Sequence, residues 1–171
     1  MAERDFQAFP RFSLALKRGA LAAPVLLFSG FAVLLVLRGL LPMQYWGGNA
    51  GTGTVTLANA PARYLLAVIL LPFYETIVGQ FLPLEILRKL KAPVVLSCVV
   101  SGLLFGLGHY ANGGVAHGVS GTVIGILLAV VYTRSRQDGV ICAFTTSFVA
   151  HALNNFALLY VAYNVPALAN L

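Results

Sequence analysis

Apolar residues run almost unbroken through five stretches of the chain, 19–41, 62–84, 93–110, 116–133 and 139–161, and the charged residues collect between them. Each run is about 20 residues long, the length of helix that crosses a bilayer, and none alternates like the strand of a barrel. The pattern predicts an all-α fold, a polytopic transmembrane helical bundle of about five spans. Residues 1–18 mix Arg4, Arg11, Lys17 and Arg18 with Glu3 and Asp5 and read as a membrane-surface segment. Residues 19–171 then form a single transmembrane domain with a motif-bearing core at 62–161. A loop rich in Gly, Asn and Thr occupies 43–61, with Tyr45 and Trp46 at the interface, and a short uncharged tail closes the chain. Pro72 and Pro83 interrupt the second run and predict a kink beside Glu75, because proline supplies no N–H and clashes with the preceding turn. A Gly/Asn turn at 111–115 joins the third and fourth runs.

Composition narrows the class further. The chain is 59% hydrophobic and 9% charged, against roughly 25% charged in soluble domains, which excludes a water-soluble fold. The net charge of +6 does not point to nucleic acid, since the basic residues lie at the ends of apolar runs instead of along a stripe interleaved with aromatics. Nine of the eleven Lys and Arg fall in 1–18, 85–91 and 134–136. Five spans put all three segments on one face, so the positive-inside rule predicts a cytoplasmic N-terminus and an outside C-terminus. Cys98 and Cys142 fall within spans and read as small packing residues. The first run is long enough to span, and no small-residue cleavage site follows it promptly, so it is not a cleavable signal peptide.

Three spans carry polar groups that lipid should reject. A charge at mid-membrane costs about 3 kcal/mol on insertion scales, so an intramembrane carboxylate marks a functional site by default. The second span holds Glu75, followed by Thr76 and Gln80. The third ends in Phe105-Gly-Leu-Gly-His109, with Phe105 one turn from the imidazole it could wall. The fifth holds His151-Ala-Leu-Asn154-Asn155, in which His151 and Asn155 are four apart and share a helix face. A carboxylate in low dielectric is a competent general base toward water. A nearby imidazole could orient that water, and a His/Asn pair could donate to the oxyanion of a tetrahedral intermediate. That is peptide hydrolysis without a Ser or Cys nucleophile. Glu75, His109 and His151 are equally a candidate zinc-ligand set of the His₂Glu kind, and the spacing does not separate the two. Counting along the runs puts Glu75 and His151 near mid-membrane and His109 near the outer end of its span.

The ordered set resembles the CPBP family of intramembrane endopeptidases, which includes type II CAAX prenyl endopeptidases and bacteriocin-immunity proteins. That family carries Glu-Glu-x-x-x-Arg, Phe-x-x-x-His and His-x-x-x-Asn on successive motif-bearing spans. The likeness covers about residues 70–155 and includes the Gly-rich fourth span ending in Tyr132. It implies an intramembrane protease with Glu75 as general base, His109 as its partner on the water, and His151 with Asn155 at the oxyanion. Thr76 stands where the family has its second Glu, and Gln80 where it has Arg. The implied partners are a lipid bilayer and a membrane-associated peptide or protein substrate, and the implied setting is a bacterial plasma membrane. A divalent metal stays open.

Two other classes fit parts of the pattern. A catalytically inactive relative serving as immunity factor or scaffold would explain Thr76 and Gln80. Gly118-Val-Ser120-Gly121 is similar to the Gly-x-Ser-Gly of rhomboid serine proteases, with His151 as the base, but the motif order is reversed. Five short spans with one buried carboxylate speak against a transporter or channel.

Overall fold

The structure, a computed structural model, describes residues 2–42, 44, 46 and 60–164. Every regular element among them is helical. Five helices are long and apolar enough to cross a membrane. They are α1 (Ala2–Leu40), α2 (Pro61–Lys89), α3 (Val94–Ala111), α4 (Gly113–Asp138) and α5 (Val140–Asn164). The bundle is therefore the transmembrane fold that the run lengths predict. Most of the 43–61 loop and the tail beyond 164 lie outside the described residues, although Trp46 Nε1 donates to the carbonyl of Leu41 at 3.0 Å.

Residues 2–18 continue the first span as one helix. Helix α1 packs along α5 and α4. Its Gly19 faces the Thr146 carbonyl and Val149, both 2.8 Å from where a Cβ would stand, so the backbones meet there as small residues allow. The reversal between α3 and α4 is sharp. Gly114 adopts φ 77° and ψ −166°, a conformation that side chains oppose. A Cβ on Gly102 or Gly106 would run into Ile126 or Thr122, so α3 and α4 approach closely along that seam.

The distribution of residues is that of a protein solvated by lipid. Leu21, Val95 and Ile141 lie exposed on the outside, while Thr76, Gln80, Ser101, Thr146, Ser147 and His151 are buried. One apolar cluster joins Leu26, Phe105, Ile124, Leu128 and Ala150, and a second joins Leu84, Cys98, Ala129, Tyr132 and Ala143. At one end of the bundle, Glu85 accepts from Arg136 Nε at 2.6 Å, Arg88 Nη2 at 2.8 Å and Tyr132 Oη at 3.0 Å, tying α2 to the end of α4. Arg18 of α1 pairs with Asp138 at the same end. The basic segments thus converge on one face, as alternating spans require.

Helix α2 meets its prolines without ending. Two π-helical stretches, Leu65–Leu70 and Ile77–Phe81, flank Leu71–Thr76, the α-helical turns that carry Glu75. Such insertions are frequent at functional sites. The first follows from the missing donor of Pro72. The Leu71 N–H bonds the Leu66 carbonyl, so in that register the Ala67 carbonyl would need an N–H from residue 72. The Asn155 side chain fills the gap, donating to the Ala67 carbonyl at 3.2 Å. In the second π stretch, Ser101 Oγ donates to the Gly79 carbonyl. A side chain from another helix thus reaches a backbone carbonyl in each π stretch.

Candidate active site

Glu75 leaves α2 between the two π stretches, and its Oε2 lies 3.3 Å from Nε2 of His151 on α5. The imidazole is 2% exposed and the carboxylate 30%, so one partner is sealed in the bundle while the other keeps access to its surroundings. With one carboxylate oxygen beside His151, the other is left for a further proton donor. His151 Nδ1 has no hydrogen-bond partner among the described residues.

His109 reaches the pair through Phe105. Its Nδ1 stands 3.0 Å from the Phe105 carbonyl. A carbonyl only accepts, so Nδ1 carries the hydrogen and Nε2 the lone pair. The rings of Phe105 and His109 stack at 4.4 Å and 24°, and Phe105 meets His151 edge to face at 5.3 Å. One phenyl ring therefore touches both imidazoles and bridges the difference in depth that residue counting implies. Phe105 is itself clamped: a Cβ on Gly79 or on Gly125 would lie 2.7 Å from its side chain. The small-residue faces of α2 and α4 thus have a local purpose beside general packing.

The remaining predicted residues divide. Asn155 sits one turn from His151, but one amide N–H is committed to Ala67, and its Oδ1 is 3.4 Å from Asn154 Nδ2. Gln80 is fully buried and its Oε1 accepts from Ser101 Oγ at 2.8 Å. That contact holds the position where the resemblance leads one to expect an ion pair. Thr76 is also fully buried, and its Oγ1 has no hydrogen-bond partner among the described residues. Ser120 points toward α1, with its Oγ 3.9 Å from where a Gly30 Cβ would stand, and no hydrogen bond joins it to His151 among the described residues.

Glu75, His109 and His151 are the candidate zinc ligands. Among the described residues no group of three or more His, Cys, Asp or Glu side chains is placed to hold a metal ion, and Phe105 stands against both imidazoles of the candidate set.

The family model for type II CAAX prenyl endopeptidase Rce1-like proteins matches residues 57–157, a segment that holds Glu75, Phe105, His109, His151 and Asn155. The chain belongs to the Rce1-like family. No curated protein and no solved structure matches it. Membership makes this an integral membrane protein of an intramembrane CAAX-type protease family, one whose substrates are membrane-associated. Within the Rce1-like region lies one residue that sequence reasoning passed over. His117, in the first turns of α4, meets His109 edge to face at 5.0 Å. The available signal was scarcity, since the chain has three histidines and the other two were already site candidates.

Proposed function

We propose that the protein is an intramembrane endopeptidase that hydrolyses a peptide bond of a membrane-associated substrate with water activated by Glu75. The observation that carries this is the 3.3 Å approach of Glu75 to His151, with Phe105 linking that pair to His109. Apo sites often hold such contacts loosely and tighten them on substrate.

In the first step the free Glu75 oxygen takes a proton from water as the water oxygen bonds to the scissile carbonyl carbon. His109 Nε2, the lone-pair nitrogen, accepts a hydrogen bond from the same water and orients it. The carbonyl oxygen becomes an oxyanion. Asn155 keeps a second amide N–H beside the one anchored on Ala67, and it donates to that oxyanion together with His151 Nε2–H, which Glu75 releases once its carboxylate has taken the proton. Collapse of the intermediate breaks the C–N bond, and the proton held by Glu75 passes to the leaving amine. The basic end of the bundle lies on the cytoplasmic side, by the positive-inside rule.

The test is cleavage of a membrane-peptide panel by the purified full chain in liposomes, with and without chelator. Glu75→Gln and His109→Ala should each lose cleavage. Wild-type rates in both variants would end the mechanism. A second reading rests on Thr76 and Gln80 standing at the family's charged positions: an inactive relative acting as immunity factor or scaffold. Full biological effect in Glu75→Gln would favour it.

A further inference from the structure

We propose that His117 is a positioning residue for this site, bracing the His109 imidazole from α4 so that Nε2 is presented to the water. The inference rests on the hydrolytic role given to His109 above.

The geometry is specific. His117 and Gly121 are four apart on α4 and share one face, and Gly113 stands just before the break at Gly114. That face meets His109. A Cβ on Gly121 would lie 2.8 Å from Cβ and Cγ of His109, so only glycine lets the imidazole lie this close to α4. The His117 ring stands at 74° to the His109 ring with centroids 5.0 Å apart, the edge-to-face arrangement aromatic pairs prefer. His117 is in turn laid over Gly113, where a Cβ would fall 2.0 Å from its Nδ1 and 2.7 Å from its Cβ and Cγ. From α3, Phe105 stacks on His109 and accepts from its Nδ1. The imidazole is therefore gripped by its own helix and by α4, and the nitrogen left free is Nε2. A group held in productive orientation can be worth orders of magnitude in rate, and small displacements forfeit it.

Three variants of the full chain test this: His117→Ala removes the ring, His117→Phe keeps a ring without nitrogens, and Gly113→Ala leaves the ring in place chemically but displaces it. In liposomes, His117→Ala and Gly113→Ala should lower kcat about tenfold with KM nearly unchanged, while His117→Phe restores most of the loss. A second readout does not depend on cleavage. In histidine-labelled protein, which gives three imidazole resonances, the His109 Cε1–H signal should move in His117→Ala and in Gly113→Ala. In His117→Phe it should stay near its wild-type position. An unmoved His109 signal in His117→Ala overturns the proposal. So does an equal loss of kcat in the Ala and Phe variants, because a nitrogen and not the ring would then be acting. Wild-type cleavage by Glu75→Gln would refute the hydrolytic mechanism, and the resonance shift would still decide whether His117 holds His109.

Discussion

Asn155 donates its side-chain amide to the backbone carbonyl of Ala67, 88 residues away in sequence, at 3.2 Å. The same residue that completes a catalytic-looking His-x-x-x-Asn pattern therefore repairs the hydrogen-bond ladder of the helix bearing Glu75. Its worth to the protein is accordingly both structural and chemical.

Replacing Asn155 by Leu leaves the Ala67 carbonyl without its partner in a lipid-solvated bundle. Interhelical hydrogen bonds in membranes average about 0.6 kcal/mol and reach about 2. A loss of that size is expected in a reversible unfolding measurement in detergent, together with slower cleavage. Slower cleavage at undiminished stability would mean that the Ala67 contact holds nothing.

Pro72→Ala supplies the N–H that the π register denies to Ala67. In that background Asn155→Leu should cost less than in the wild type, since both changes act on one carbonyl. A double-mutant cycle on stability should show coupling of about 0.5–3 kcal/mol, the range for residues that share a partner. Strict additivity would refute the shared-carbonyl account.

Ser101 serves two acceptors on α2, the Gly79 carbonyl and Gln80 Oε1, and is itself fully buried. Ser101→Ala should destabilise the chain by about 1–3 kcal/mol, because buried acceptors are left unmade. Gln80→Arg should be worse on its own, as it buries an unpaired charge, and Thr76→Glu should recover part of that loss by pairing it. Thermal midpoints of the three variants in one detergent decide the matter. No recovery in the double variant would show that the two positions do not face each other.

Glycine-to-alanine changes should differ in sign across the chain. At Gly39 no atom of the described residues lies within 4 Å of an added Cβ, and alanine should be neutral or stabilising by up to about 1 kcal/mol. At Gly125 the added Cβ would lie 2.7 Å from Phe105 Cβ, 3.0 Å from the Gly102 Cα and 3.1 Å from Phe105 Cγ. Overpacking there should cost about 1–3 kcal/mol and pull Phe105 off the two imidazoles, lowering cleavage as well. Equal behaviour at the two sites would mean the α3–α4 seam is looser than described.

The order of apolar runs was enough to read the five spans and the side of the bundle on which the basic residues gather, because insertion into lipid is decided locally, run by run, by hydrophobicity and flanking charge. Glu75, His109 and His151 stood out for the same reason: a polar side chain in an apolar run carries a cost visible without any structure. Pro72 and Pro83 announced a disturbance beside Glu75, since a missing N–H is a property of the residue itself.

What the disturbance becomes could not be read that way. Two π stretches, and donors from Asn155 and Ser101 reaching carbonyls within them, depend on which helices lie beside α2. The pairing of Glu75 with His151, the insertion of Phe105 between two imidazoles, and the contact of His117 with His109 are likewise decided by rotation and depth of packed helices. Linear spacing orders residues along one helix face, but only interhelical packing brings faces of different helices to one point.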